Sequence, residues 1–280
     1  HATWNGLTPC DLVFPFFLFI MGISTYISLN KFSFEASRQT VLKIIKRTLI
    51  ILLIGWGINW ISYICKGDFF PIEHLRLTGV LTRIAICYGI VSLIALYMNH
   101  RYIPSLTLVL FVLYSILLYF GNGYLCDESN LLGYIDRTLL GAKHLYLKSP
   151  IDPEGLTSTL PAIAHTLIGF YCGKIIVQPK NIDQKVMQLF LIGFILIGLG
   201  WLLGFVFPLN KRIWSPSFAI LTCGGAASLL AMLMYFIDIK GRDSWSLFFK
   251  VFGVNPLFLY VMSELLSIIF SNFGIKGFVY

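Results

Sequence analysis

The feature that most constrains the fold is a series of long apolar stretches. Each has close to the roughly 20 residues that an α-helix needs to cross a bilayer, and none alternates residue by residue as barrel strands do. A chain of 280 residues with 57% hydrophobic residues, 12% charged residues and a mean hydropathy of +0.80 is not a soluble domain. We predict an all-α, polytopic transmembrane helical bundle with about eight spans in this chain. The predicted spans are 11–30, 48–65, 79–98, 104–121, 158–177, 186–207, 217–237 and 251–272.

Lysine and arginine indicate which connections face the cytoplasm, because cytoplasmic loops retain more of them. The connections 31–47, 99–103, 174–185 and 238–250 hold twelve basic and four acidic residues, whereas the other connections hold eight of each. We therefore expect the first set to face the cytoplasm. The segment that begins at His1 and the long loop 122–157 are then on the outer side of the membrane. The net charge of +8 is explained by this asymmetry and requires no nucleic-acid partner.

Arg83, His165 and Glu264 are the clear cases of ionisable residues within predicted spans, where such groups are costly and are functional candidates by default. Arg83 could bind substrate or could extend its side chain to the interface. His165 could bind substrate or form a hydrogen bond between helices. Glu264 would need a proton or a cation in lipid, so we expect it to pair with an arginine or lysine.

The loop 122–157 is long for a connection in a compact bundle, and long loops are often functional. Six of its residues could line a polar mouth, or could be an ordinary solvated surface: Asp136, Arg137, Lys143, His144, Asp152 and Glu154. Of these, Asp136, Arg137 and His144 are candidates for binding substrate. The acidic residues of the loop lack the spacing of a calcium-binding loop, so we predict no metal site.

The opening segment, HATWNGLTPCDLVFPFFLFIMG, places polar residues immediately before an apolar span. Asp11 could cap the helix, and Trp4 could be an interfacial anchor. Asn5 and Asp11 are also candidates for binding substrate. His1 is harder to explain structurally, because a histidine outside the bilayer could exchange a proton or carry an acyl group for a water-soluble substrate.

Six blocks of the sequence carry a family resemblance: HATWNGLTPCDLVFPFFLFIMGIS, RLTGVLTRIAICYGI, NLLGYIDRTLLGAKHLY, DPEGLTSTLPAIAHTLIGFYCGKII, NKRIWSPSFAILTCGGAA and FGVNPLFLYVMSELL. They resemble the heparan-α-glucosaminide N-acetyltransferase family, in family order and over nearly the whole chain. The resemblance implies transfer of an acetyl group from cytoplasmic acetyl-CoA to the amine of a glucosamine-type sugar across the membrane. For a bacterial relative, this is the inner membrane, with the His1 segment and the loop 122–157 on the periplasmic side. The resemblance also implies that His1, in the motif H-A-x-W-N-G, is the active-site histidine.

Family members carry an upstream helix with a further site residue, and additional helices at the end. We therefore expect residues 1–280 to be a single acyltransferase domain that is truncated at the N-terminus and the C-terminus. The native protein would span the membrane ten or eleven times. Interior glycines favour close helix crossing, and a homodimer would suit such a bundle.

His1 could act as a general base for the attacking amine or could take the acetyl group itself. The phosphates of CoA need cations, which Arg38, Lys43, Lys46 and Arg47 could supply unless these residues only mark the cytoplasmic side. The competing hypotheses are a sugar transporter, in which Arg83, His165 and Glu264 would line the path, and an O-acetyltransferase of an envelope glycan.

Overall fold

A computed structural model of the chain describes residues 4–146 and 149–272, and these residues form helices and connections without a strand. The α-helices are α1 (Val13–Asn30), α2 (Arg38–Ile64), α3 (Val80–Tyr97), α4 (Ile103–Phe120), α5 (Leu131–Leu140), α6 (Thr159–Val177), α7 (Ile182–Leu203), α8 (Pro216–Met234), α9 (Ser246–Gly253) and α10 (Pro256–Asn272).

Within the described residues, six helical segments are long and apolar enough to cross a membrane, which confirms the predicted polytopic helical fold. They contain α1, α3, α4, α6, α7 and α8. The two remaining predicted spans are also helical. Helix α2 carries Arg38, Lys43, Lys46 and Arg47 within its first ten residues, and α10 has 17 residues.

Several elements differ from the sequence prediction. Helix α2 begins ten residues before the predicted span, because the side chain of Ser37 accepts a hydrogen bond from the backbone N–H of Thr40 and caps the helix. The predicted span 251–272 is divided into α9 and α10 just before Pro256, which disfavours helical geometry at the residue before it. The loop 122–157 contains the short helix α5.

Glycines set the closest approaches between helices. A Cβ built on Gly22 of α1 would overlap the carbonyl oxygen of Thr166, and a Cβ built on Gly169 of α6 would overlap that of Phe19. The backbones of α1 and α6 are therefore in direct contact, as small residues allow in membrane bundles. Helices α7 and α8 meet in the same way at Gly193 and Gly224.

The connections group at two ends of the bundle. We call the end that holds 4–12, 65–79, 121–158 and 204–215 the loop end, because hydrogen bonds join these four segments: Trp4 to Tyr124, Gly6 to Leu209 and Leu77 to His144. We call the opposite end, with its excess of lysine and arginine, the basic end. The loops predicted to share one side of the membrane thus lie together.

Candidate functional site

The opening segment is held on the loop end by three hydrogen bonds. The indole N–H of Trp4 donates to the carbonyl oxygen of Tyr124 over 3.0 Å, and the amide of Asn210 donates to the Asn5 side chain over 3.1 Å. The backbone N–H of Gly6 donates to Leu209 over 2.8 Å. Trp4 is therefore attached to the loop after α4, and Asn5 and Gly6 are attached to the connection between α7 and α8. His1 itself lies outside the described residues.

Asp11 both caps the first helix and faces a cation. One of its carboxylate oxygens accepts from the backbone N–H of Thr8 over 3.1 Å and from the Thr8 hydroxyl over 2.7 Å. The other oxygen lies 3.2 Å from Nζ of Lys211. Asp11 is buried, and its carboxylate joins the start of α1 to the turn that precedes α8.

That turn, residues 209–215, holds Trp214 in an unusual conformation. The Asn210 side chain accepts the backbone N–H groups of Arg212 and Ile213, and the Ser215 hydroxyl accepts from the backbone N–H of Asn210. Trp214 has a φ of +52° and is fully buried. Bulky residues rarely adopt positive φ, and such strained residues concentrate at functional sites.

Residues 152–155, with the sequence DPEG, form a second anchored turn. Asp152 is buried and accepts hydrogen bonds from Arg76 over 2.8 Å, from the backbone N–H of Tyr146 over 2.7 Å and from the Thr78 hydroxyl. Glu154 accepts from the same Arg76 nitrogen over 2.7 Å. Burial alone would lower the pKa of Arg76, but the two carboxylates raise it, so this guanidinium stays charged.

Asp136 supports the same turn from α5. Its carboxylate accepts from the backbone N–H and the hydroxyl of Thr157, over 3.0 and 2.7 Å. Burial raises the pKa of Asp136, while these two hydrogen bonds act in the opposite direction. A Cβ on Gly155 would overlap this carboxylate, so Gly155 is needed for α5 to pack against the turn.

Two pockets open beside these turns, and Glu154 lines both. We call the first pocket A. It has a volume of about 230 Å³ and is lined by Trp4, Asp11, Phe14, Pro153, Glu154, Lys211, Arg212 and Trp214. We call the second pocket B. It has a volume of about 200 Å³ and is lined by Gly55, Ile58, Asn59, Arg76, Thr78, Gly79, Val80, Leu81, Thr82, Glu154, Tyr260 and Glu264.

The structure brings some of the predicted substrate-binding residues to these pockets. Asp11 lines pocket A, and Asn5 lies in the segment that borders it. Glu264 lines pocket B together with Arg76, but forms no ion pair with a described lysine or arginine, so the predicted pairing is wrong within that part of the chain.

Other predicted residues have structural contacts instead. Arg137 donates to the carbonyl oxygens of Pro150 and Glu128, and Nδ1 of His144 binds that of Leu75 over 2.8 Å. These contacts hold loop segments together. Arg137 and His144 do not line either pocket.

Arg83 and His165 lie in the core of the bundle. Arg83 is 1% exposed, so the alternative in which it extends to the interface is wrong. Nε2 of His165 lies 2.9 Å from the carbonyl oxygen of Pro15, which is the helix-to-helix hydrogen bond predicted as its structural role.

The four cations suggested for CoA lie at the basic end, on the first turns of α2. Arg38, Lys43, Lys46 and Arg47 are all exposed. Lys43 lies 4.6 Å from the ring centre of Phe32, and Arg47 lies 4.7 Å from that of Tyr88. They form a basic surface that is separate from pockets A and B.

Sequence reasoning missed several residues of the loop end. Arg76, Lys211 and Trp214 were not proposed as site residues, although each lies in a conspicuous block such as RLTG or NKRIW. Charged or aromatic residues beside turn-forming Pro, Gly and Asn were the available signal. Among the described residues, no group of three or more His, Cys, Asp and Glu side chains could hold a metal ion.

No protein-family model matches the chain. Two curated relatives do match it. The mouse protein named heparan-alpha-glucosaminide N-acetyltransferase is 29% identical over 326 aligned residues, which cover 95% of this chain and 49% of the relative. The human protein of the same name is 29% identical over 332 aligned residues, which cover 98% of this chain and 49% of the relative. The chain thus spans about half the length of the curated relatives that it matches.

Proposed function

We propose, from its similarity along nearly its whole length to two relatives of that name, that the chain belongs to the heparan-alpha-glucosaminide N-acetyltransferase family and is a transmembrane N-acetyltransferase. In this proposal the protein transfers an acetyl group from acetyl-CoA to the amine of a glucosamine-type sugar. The acceptor binds at the loop end, and the donor comes from the basic end. The observation that carries the proposal is pocket A, a pocket of suitable chemistry beside the segment that contains the family motif.

Pocket A has groups that suit an amino sugar. The Asp11 and Glu154 carboxylates can accept hydrogen bonds from an ammonium group, and Trp4 and Trp214 offer apolar surface to the sugar ring. Lys211 and Arg212 can donate to its hydroxyls or to an acidic neighbouring sugar. An ammonium group must lose a proton before it can attack a thioester, so a base is needed near this pocket.

His1 is our candidate for that base. It lies three residues before Trp4 in the sequence, and Trp4 lines pocket A. As a base, His1 would take the proton from the amine during direct transfer; as a nucleophile, it would hold the acetyl group between donor and acceptor. Asn5 acts indirectly in this proposal, because its contact with Asn210 fixes the segment that carries His1.

We propose that the membrane is a bacterial inner membrane and that the loop end faces the periplasm. The excess of lysine and arginine at the basic end supports a cytoplasmic position for that end. CoA is cytoplasmic and highly charged, so its phosphates would meet Arg38, Lys43, Lys46 and Arg47 there. The acetyl thioester would then reach the loop end between the helices.

The proposal is tested with purified full-length protein, acetyl-CoA labelled in the acetyl group, and glucosamine. We expect labelled N-acetylglucosamine from the wild type and a loss of at least about a hundredfold in kcat for His1→Ala, the size of a general-base contribution. Glucose is the matched acceptor control, since it replaces the amine with a hydroxyl.

Each outcome separates the competing functions. Equal acetylation of glucose and glucosamine would favour an O-acetyltransferase. Movement of labelled sugar into vesicles without acetylation would favour a transporter and contradict the proposal. A His1→Ala variant as fast as the wild type would remove His1 from the mechanism, while label retained on the protein without acceptor would favour the acyl-histidine.

A further inference from the structure

Three buried polar side chains meet below pocket A. Arg83 comes from α3 and His165 from α6, and Trp214 lies two residues before α8; each is at most 1% exposed. The Arg83 guanidinium carbon lies 5.2 Å from the ring centre of Trp214, and the ring centres of His165 and Trp214 are 5.8 Å apart. Trp214 also lines pocket A, so this ring connects Arg83 to the pocket.

The hydrogen-bonding capacity of Arg83 is only partly used. Nη2 donates to the carbonyl oxygen of Gly155 over 3.1 Å and to the hydroxyl of Ser158. Nε and Nη1 have no hydrogen-bond partner among the residues that the structure describes, and neither has Nε1 of Trp214. An unpaired buried donor is costly, so unused donors on two touching side chains need an explanation.

The surrounding residues do not neutralise Arg83. Nε2 of His165 must carry a hydrogen, because the Pro15 carbonyl can only accept, and its other nitrogen, Nδ1, is unpartnered within the described chain. No described carboxylate forms an ion pair with Arg83; Asp152 and Glu154 bind Arg76 instead. An arginine keeps its charge in proteins, so this position presents a positive charge and free N–H donors to a ligand.

We propose that Arg83 is a catalytic residue whose Nε and Nη1 donate to the oxygen of the acetyl thioester, with Nε1 of Trp214 as a further donor. This inference rests on the proposed function and adds an oxyanion-binding site to it. Its chemistry is the same for an attacking amine and for an attacking histidine. The strained backbone of Trp214 is then explained, because it holds the indole between pocket A and Arg83.

The nitrogen lone pair attacks the carbonyl carbon and forms a C–N bond, while the electron pair of the C=O π bond moves to oxygen. Arg83 and Trp214 stabilise this negative oxygen by hydrogen bonds in a site without bulk water. When the C=O bond re-forms, the C–S bond breaks and CoA leaves as the thiolate. The proton of an attacking amine passes to His1, whereas an attacking His1 gives its ring proton to the thiolate.

The test measures release of the CoA thiol from acetyl-CoA by full-length protein, with and without glucosamine. The variants are Arg83→Gln, Arg83→Lys and Trp214→Phe. We expect Arg83→Gln to lower kcat about a hundredfold to a thousandfold, as removal of an oxyanion donor does, with KM for acetyl-CoA changed less than about threefold. Arg83→Lys keeps a charge but loses the fork of donors, so its kcat should fall between those of the wild type and Arg83→Gln.

Ser92→Ala is the matched control. Ser92 is also buried in α3, and its hydroxyl also has no partner in the described part of the chain, but it lies nine residues beyond Arg83. We expect this variant to keep the wild-type kcat. Equal losses in Ser92→Ala and Arg83→Gln would mean that both only perturb the helix, which would overturn the inference.

The remaining outcomes are also decisive. A folded Arg83→Gln protein with the wild-type kcat would overturn the inference, and if that variant does not fold, a wild-type kcat in Trp214→Phe would do so. If the wild type releases thiol without acetylating sugar, and Arg83→Gln abolishes that release, the oxyanion site stands and the acceptor proposal fails. If the wild type releases no thiol, both fail.

Discussion

At the residue scale, Asp152 and Glu154 both bind the guanidinium of Arg76 but differ in their surroundings. The Asp152 side chain is fully buried and also accepts from Thr78, from Tyr146 and from the backbone N–H of Glu154. The Glu154 side chain remains partly exposed and lines both pockets. One carboxylate therefore holds the loop end together, and the other is available to a ligand.

We expect Asp152→Asn and Glu154→Gln to separate stability from activity. Asp152→Asn should lower the free energy of unfolding by about 3 kcal/mol, since it removes one partner of a buried ion pair. Glu154→Gln should cost below about 1 kcal/mol, because partly exposed pairs contribute little. The same Glu154→Gln change should lower kcat/KM for glucosamine about tenfold to a hundredfold, the value of one charge-assisted hydrogen bond.

Thermal unfolding in detergent and steady-state acetyl transfer measure the two effects. Equal changes in both quantities for the two variants would contradict the division of roles between Asp152 and Glu154.

At the element scale, the contact between α1 and α6 positions the core of the candidate site. Helix α1 carries Phe14 and Pro15, and α6 carries His165, which binds the Pro15 carbonyl. The two backbones approach this closely only because Gly22 and Gly169 have no side chains. The interior glycines indicated close crossing from the sequence, but not which of them would be in contact.

Gly169→Ala should therefore destabilise the protein. Its Cβ would overlap the Phe19 carbonyl oxygen, and backbone cannot move aside as a side chain can, so we expect a loss of about 1–3 kcal/mol. Gly198→Ala is the control, because Gly198 in α7 has no atom within 4 Å of an added Cβ. That variant should be neutral or slightly more stable, as alanine favours helix. Equal melting temperatures for the two variants would show that the backbones of α1 and α6 are not in direct contact at Gly169.

At the scale of the whole molecule, the cysteines offer a test of sidedness. All six are free. Cys87, Cys172 and Cys223 are buried, while Cys10, Cys65 and Cys126 are exposed and lie at the loop end. In the proposed topology, the three exposed thiols face the periplasm.

A membrane-impermeant maleimide applied to intact spheroplasts should label the protein, and Cys126→Ser and Cys65→Ser should each remove part of the label. A cysteine introduced at exposed Gln39, at the basic end, should react only after the membrane is permeabilised. Labelling in the reverse order would show that the loop end faces the cytoplasm.

Much of the architecture was predictable from the sequence because it depends on local properties. A continuous apolar run must be helical in a membrane, whatever its neighbours, since its backbone groups have to bond internally. The distribution of lysine and arginine likewise assigned each connection to one end of the bundle. Hydropathy does not indicate the division of the last predicted span, because one proline, Pro256, hardly changes the mean over residues 251–272.

The candidate site depended instead on partners that are distant in the sequence. Arg76 binds Asp152, and Asp11 binds Lys211 although 200 positions separate them. The pattern of residues near Asp11 predicts a cap, and this was found, but it contains no information about the lysine. The position of Arg83 also depended on packing. From the sequence, its side chain could reach the interface or remain inside, and the packing of α3 against α6 and Trp214 placed it in the core. The sequence by itself determined which segments are long and apolar enough to cross a membrane and at which end of the bundle each connection lies, because those properties are local. The tertiary structure decided which charges meet, because helix packing sets the distances between residues that are far apart in the chain.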